Sequence, residues 1–169
     1  MSQKLYLLRH AEAEPWSPMG NDFSRSLTGD GKRHAALLSN WVQENLVTPD
    51  SILCSPAKRT RQTLAPILSH WHQVLSTTDY VNSMYGATTD LLLTLAEDAF
   101  TYSECLLMVG HNPGTENLLR SVLSDSQLPG LGHYSAGTLS VIEFPGNFKS
   151  ESKNGRLIHL VTRKNLSDD

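Results

Sequence analysis

The chain has 169 residues, enough to bury a core without disulfide or metal staples, and this length predicts one domain over residues 1–169. Hydrophobic residues make up 39% and charged residues 18%, an ordinary globular balance; a net charge of −3 with no basic block argues against a general nucleic-acid or membrane-surface binder. No apolar run is long enough to span a bilayer, Met1-Ser2-Gln3-Lys4 has no signal-peptide layout, and Cys54 and Cys105 sit in separate apolar segments, so a cytoplasmic chain with reduced cysteines is expected.

Leu5, Tyr6, Leu7 and Leu8 read as a short strand covered on both faces, with Arg9 and His10 at its carboxyl end. Ala11, Pro15 and Pro18 mark departure from the sheet into a polar loop over residues 11–27. Thr28 has the character of an N-cap, and Ala35, Leu38, Trp41, Val42 and Leu46 recur near helical period, predicting a helix over 29–46. Pro49-Asp50 breaks it, and Ser51 to Cys54 reads as a second strand. A second helix is predicted from Ala57 to His72, with Leu64, Ile67, Leu68 and Trp71 as its apolar face and Pro66 straining it mid-course.

Residues 77–86 carry a weak strand signal followed by a loop at Ser83 to Gly86, and Leu91, Leu92, Leu93, Leu95 and Ala96 mark a third helix. Cys105 to Val109 is the most apolar run in the chain, and Gly110-His111-Asn112-Pro113-Gly114 follows it. Pro113 is expected at the first position of a helix continued by Leu118, Leu119, Val122 and Leu123. After a loop at Gly130 to Ser135, Leu139 to Phe144 alternates like a strand, and Leu157 to Val161 reads as an edge strand before a polar tail. The alternation predicts an α/β fold, a three-layer α/β/α sandwich with a mainly parallel central sheet.

In such a sheet, ligands bind outside the carboxyl ends of the strands. Three strand-to-helix junctions there carry chemistry: Arg9-His10, Arg59 and His111. If their strands are parallel, two imidazoles and two guanidiniums converge, and no metal-ligand cluster accompanies them. Guanidinium forks match phosphoryl oxygens. One histidine can attack phosphorus while its neighbours stabilise the charge that grows on the equatorial oxygens. The helix beginning near Pro113 adds a positive dipole end.

Leu8-Arg9-His10-Ala11, Ser55-Pro56-Ala57-Lys58-Arg59-Thr60-Arg61-Gln62-Thr63 and Val109-Gly110-His111-Asn112-Pro113-Gly114 resemble, in order, the signatures of the histidine phosphatase superfamily. The resemblance covers residues 4–145 and is nearest to the small SixA-like phosphohistidine phosphatases, whose pattern also includes a segment matched by Arg25-Ser26-Leu27-Thr28. It implies a phosphoglycerate-mutase-like fold and a metal-independent, cofactor-free phosphatase. In that reading His10 attacks phosphorus and carries the phosphoryl group, Arg9 and Arg59 grip its oxygens, His111 completes the catalytic set, and Arg25 contributes to substrate binding. Ala11 departs from the Arg-His-Gly form of the wider superfamily, though alanine is frequent in SixA-like members.

A second departure bears on substrate. Many members place an acidic residue after the third strand to protonate the leaving oxygen, whereas Val81 to Gly86 holds no carboxylate here. Asp90, on the following helix, and Glu14 are the remaining candidates. An alkoxide needs that proton badly; an imidazole, with a free pKa of about 6.5, needs it far less. The expected substrate is therefore a phosphohistidine-bearing protein, with a small phosphorylated molecule as the alternative. No nucleic-acid or membrane partner is expected, and the chain is expected to act as a monomer.

Rival readings are available. A non-catalytic phosphate-binding regulatory module needs no nucleophile, so Arg9-His10 together with His111 argues against it. Cys54 to Thr60 superficially resembles the Cys-loop-Arg cradle of cysteine-dependent phosphatases, but the loop is one residue short and lacks glycine. His70 and His72, two apart, do not share a helix face and make a poor metal pair. Trp16 is expected to pack near the first loop, His159 to be half-exposed in its strand, and Lys58 and Arg61 to be solvated helix charges able to touch an acidic substrate.

Overall fold

In the computed structural model, which describes residues 1–166, six strands form one sheet in the order β3-β2-β4-β1-β5-β6. Strands β1 (Ser2–Arg9), β2 (Ser51–Cys54), β3 (Thr78–Tyr80) and β4 (Cys105–Gly110) pair in parallel. Strand β5 (Leu139–Pro145) runs antiparallel to both of its neighbours, β1 and the edge strand β6 (Arg156–Val161). The sheet is thus mainly parallel, as the alternation of elements predicts.

Four helices cover it: α1 (Gly29–Asn45), α2 (Lys58–His70), α3 (Thr89–Ala99) and α4 (Gly114–Val122). Leu38 and Val42 of α1 with Leu64 and Ile67 of α2 pack on Tyr6, Leu8, Ile52, Leu107 and Val109. Leu92 and Ala96 of α3 with Leu118 and Val122 of α4 pack on Leu5, Leu7, Leu53, Leu106 and Met108. The period of two along each strand therefore divides one apolar run between two cores. This is why β2 and β4 are buried at every residue. Each leucine so buried stabilises the fold by about 1.5–3 kcal/mol.

Helix starts follow their caps. Thr28 Oγ1 accepts from the Gly31 amide at the head of α1, and Thr88 Oγ1 from the Leu91 amide at the head of α3. Several details differ from expectation. Strand β1 starts at Ser2, three residues before the apolar run, because β4 and β5 supply backbone partners there. Helix α2 spans Lys58–His70 and carries Pro66 without interruption. Pro113 stands one residue ahead of α4 rather than at its first position.

Trp16, in the loop after β1, is 66% exposed instead of packed. His159 is exposed, with its ring edge-on to Trp41 at 5.4 Å. No helix among the described residues is long and apolar enough to cross a membrane. The last three residues of the expected polar tail lie outside the described residues.

Candidate active site

Register brings the three junctions level. Val109 of β4 pairs with Leu8 of β1 on one side and with Cys54 of β2 on the other. The residues that follow these three positions leave the sheet at one height: Arg9-His10, Gly110-His111 and Ser55-Pro56. His10 is fixed by its backbone, its amide donating to Gly110 O at 3.1 Å and its carbonyl accepting from the Gly137 amide at 2.8 Å. The next amide, of the fully buried Ala11, donates to Thr63 Oγ1, and that hydroxyl donates to Arg59 O. One hydroxyl thus ties the strand end carrying His10 to the helix turn carrying Arg59.

The result is a pocket of about 480 Å3 lined by Arg9, His10, Arg25, Arg59 and His111, all five of the residues singled out in the sequence, together with Glu12, Asp22 and Asn112. The imidazoles of His10 and His111 stand 5.3 Å apart. Arg9 Nη1 donates to Tyr134 O at 2.9 Å, and Asn112 Nδ2 donates to the same carbonyl, also at 2.9 Å. His111 Nε2 and Ser55 Oγ share a hydrogen bond of 2.7 Å. The buried Nε atoms of Arg9 and Arg59 have no hydrogen-bond partner among the described residues, so each keeps a donor in reserve.

The protonation state of His10 follows from its contacts. Its Nδ1 lies 2.7 Å from Ala11 O. A carbonyl only accepts, so Nδ1 carries the hydrogen and Nε2 carries the lone pair. Burial, reinforced by Arg59, Arg9 and Arg25, pushes the His10 pKa down to about 4. Burial with Arg59 and His10 nearby pushes His111 down to about 3. Both imidazoles are neutral at neutral pH, and a neutral imidazole with a free Nε2 is a competent nucleophile.

Three contributors were not singled out in the sequence. Asp22, on a one-turn 3-10 helix (Asp22–Ser24), places Oδ2 3.0 Å from Arg59 Nη2 and 2.6 Å from the Tyr85 hydroxyl, while Oδ1 accepts from Arg25 Nε at 2.8 Å. The Tyr85 hydroxyl, then Arg25 and Arg59, hold its carboxyl well below the usual carboxylate range. Tyr85 also lies edge-on to His111, with centroids 5.7 Å apart. Ser55 completes the group through His111. Only the spacing of Asp22 and Arg25, three apart in a turn, was visible as a signal.

The two acids weighed as proton donors do not supply a carboxyl group to the pocket. Asp90 belongs to the first turn of α3 and is absent from the lining, and Glu14 meets the site through its backbone carbonyl, which accepts from Arg25 Nη1 at 2.7 Å. Cys54 is fully buried in the core beneath α2, where burial pushes its thiol up to about 12. A protonated thiol behind the sheet does not serve as a nucleophile.

Comparison with known proteins bears on the family and the fold. The sequence profile of the histidine phosphatase superfamily (branch 1) matches residues 5–89, half of the chain. A curated relative from Mycobacterium tuberculosis, described as an uncharacterized protein, is 34% identical over 112 residues, and the match spans 66% of this chain and 66% of the relative's length. Among solved structures, a chain assigned as the phosphohistidine phosphatase SixA from Agrobacterium tumefaciens superposes with a TM-score of 0.81 at 28% identity, covering 95% of this chain and 97% of that one. The protein histidine phosphatase SixA complexed with tungstate shares the fold at a TM-score of 0.77 and 19% identity, covering 96% and 99%. The chain belongs to the histidine phosphatase superfamily, branch 1.

Proposed function

We propose that this protein is a phosphatase that works through a phosphohistidine intermediate on His10 and that its substrate is a phosphohistidine side chain of another protein. The observation that carries the reading is the state of His10: a neutral imidazole whose Nδ1 is committed to Ala11 O, lining a pocket with three guanidiniums. In the first step His10 Nε2 forms a bond to phosphorus as the bond to the leaving imidazole nitrogen breaks, and the substrate ring, protonated on its other nitrogen, leaves as neutral imidazole. Arg9 and Arg59, with Arg25 at the rim, balance the charge on the phosphoryl oxygens. In the second step water attacks the same phosphorus, phosphate leaves, and the Nε2 lone pair is restored.

The substrate class follows from proton supply. Of the two carboxyl groups in the lining, Asp22, bonded to both Arg25 and Arg59, is held ionised by its partners and has no proton to give at neutral pH, and Glu12 has Oε1 engaged as the acceptor of the Thr28 hydroxyl at 2.8 Å. Transfer from one imidazole to another is nearly balanced once the leaving ring carries a proton on its far nitrogen, a proton that solvent supplies near neutral pH; an alkoxide has no such second site and needs a donor in the pocket. The likeness to SixA structures supports the same reading. The test is kcat/KM for a phosphohistidine protein against a panel of phosphate monoesters at neutral pH. The phosphohistidine protein is expected to win. An ester ahead by about tenfold, or 1.4 kcal/mol of transition-state free energy, overturns the assignment of substrate.

A further inference from the structure

A second depression, a groove of about 660 Å3, adjoins the candidate active site across a wall one turn thick. The 3-10 turn has two sides: Asp22 faces the pocket, whereas Phe23 lines the groove. Helix α2 is divided in the same way, with Arg59 in the pocket and Lys58 and Arg61 in the groove. A molecule whose phosphoryl group reaches Arg59 has the groove with Lys58 and Arg61 within reach of its remaining parts.

The chemistry of the groove is one-sided. Its apolar lining includes Met19, Phe23 and Tyr80, which are 76%, 40% and 45% exposed. Its only charged lining residues are Lys58 and Arg61, although the chain as a whole has a net charge of −3. Both side chains are exposed, and neither forms an ion pair among the described residues; Arg61 instead lies 5.2 Å over the Tyr80 ring. Lys58, Arg59 and Arg61 also crowd the start of α2, where there is no acidic residue. The helix dipole disfavours cations at that end, so their placement does not serve the helix. Methionine, aromatic side chains and arginine on an exposed surface are the composition of a protein-recognition patch.

We propose that this groove docks an acidic segment of the phosphorylated partner protein, its carboxylates meeting Lys58 and Arg61 and an apolar side chain resting against Met19 and Phe23. The proposal rests on the phosphohistidine reading of the neighbouring pocket and assigns that reading a determinant of partner choice.

The test uses two short phosphohistidine peptides, one flanked by aspartate, glutamate and leucine and one flanked by lysine and leucine, with phosphoimidazole as the substrate that cannot reach the groove. Wild-type protein is expected to prefer the acidic peptide by about tenfold in kcat/KM, a preference that shrinks with added salt. Lys58→Glu/Arg61→Glu should abolish or reverse it, and Met19→Ser should weaken it, while both variants turn over phosphoimidazole like wild type. Binding of the unphosphorylated acidic peptide is titrated separately, so the groove is tested without turnover. If no phosphoramidate is hydrolysed, the proposed function fails; peptide binding that is lost in the double variant still supports the groove. Equal binding of acidic and basic peptides, or unchanged acidic-peptide binding in the double variant, overturns the docking proposal. Self-association in sedimentation that disappears in the double variant also overturns it, by assigning the groove to a second copy of the chain.

Discussion

The Arg59 guanidinium, only 6% exposed, is met on the pocket side by the carboxylate of Asp22, which is 52% exposed. Arg59 Nη1 donates to Asp22 O at 2.8 Å and Nη2 to Asp22 Oδ2 at 3.0 Å, so the exposed turn offers one backbone oxygen and one carboxylate oxygen to the fork. A phosphoryl group gripped by Arg59 competes with these oxygens for the same donors.

Asp22→Asn removes the competing charge. Phosphate or tungstate is expected to bind more tightly by about 1 kcal/mol, the scale of a solvent-exposed ion pair. Isothermal titration of the anion against both proteins measures this directly. Weaker anion binding in Asp22→Asn would instead show that the carboxylate is needed to hold Arg59 and Arg25 in place.

Arg59→Ala leaves the pocket without its buried fork. By comparison with oxyanion-hole donors the loss in transition-state stabilisation is about 2–4 kcal/mol. Arg59→Lys should recover only part of it, because an ammonium is a single point of charge where a fork offers parallel donors. Steady-state kinetics of the three proteins on one phosphoramidate decide the matter.

The imidazoles give stability a sign with pH. The pKa values of His10 and His111 are pushed down to about 4 and about 3 by folding, so between those values and 6.5 the unfolded chain binds more protons than the folded one. The stability they confer is complete above the unfolded pKa and is lost as pH falls. From about pH 7.5 to about pH 5 each is expected to cost the fold ~2 kcal/mol, at 1.4 kcal/mol per pKa unit. Asp22, also lowered, acts only below the ordinary carboxylate range and leaves this window alone. Urea unfolding at the two pH values should show the loss in wild type and a smaller one in His111→Asn.

Gly137 supports His10 from behind. Its amide donates to His10 O, its φ is +74°, and a Cβ there would clash with the imidazole of the buried His34. Gly137→Ala combines a left-handed backbone with overpacking and should destabilise the protein by about 2–4 kcal/mol. His34→Ala in the same chain removes the clash and should return part of that loss in a thermal melt. The strained backbone accounts for the remainder.

The junction residues were legible because secondary structure alone places them. An apolar run ending in Arg9-His10, another ending in Cys54-Ser55, and a third ending in Gly110-His111 meet wherever three parallel strands stand in register. Arg59 was visible as the arginine of the first turn after the second strand, within the Ser55–Thr63 motif. Asp22 and Tyr85 were not visible, because they reach the pocket from irregular segments with no periodicity to fix their direction. Only the fold of residues 11–27 along the pocket brings Asp22 to Arg59. Trp16 failed as a packing residue for the same reason: its loop position gave no information about which way it faces.

The covalent role of His10 is decided by rapid acid-free quenching after mixing with a 32P-labelled phosphoramidate. The expected result is a phosphoenzyme that is stable in base and labile in acid, formed by wild type and by Cys54→Ser and absent from His10→Ala. Full turnover and undiminished labelling in His10→Ala would contradict the account.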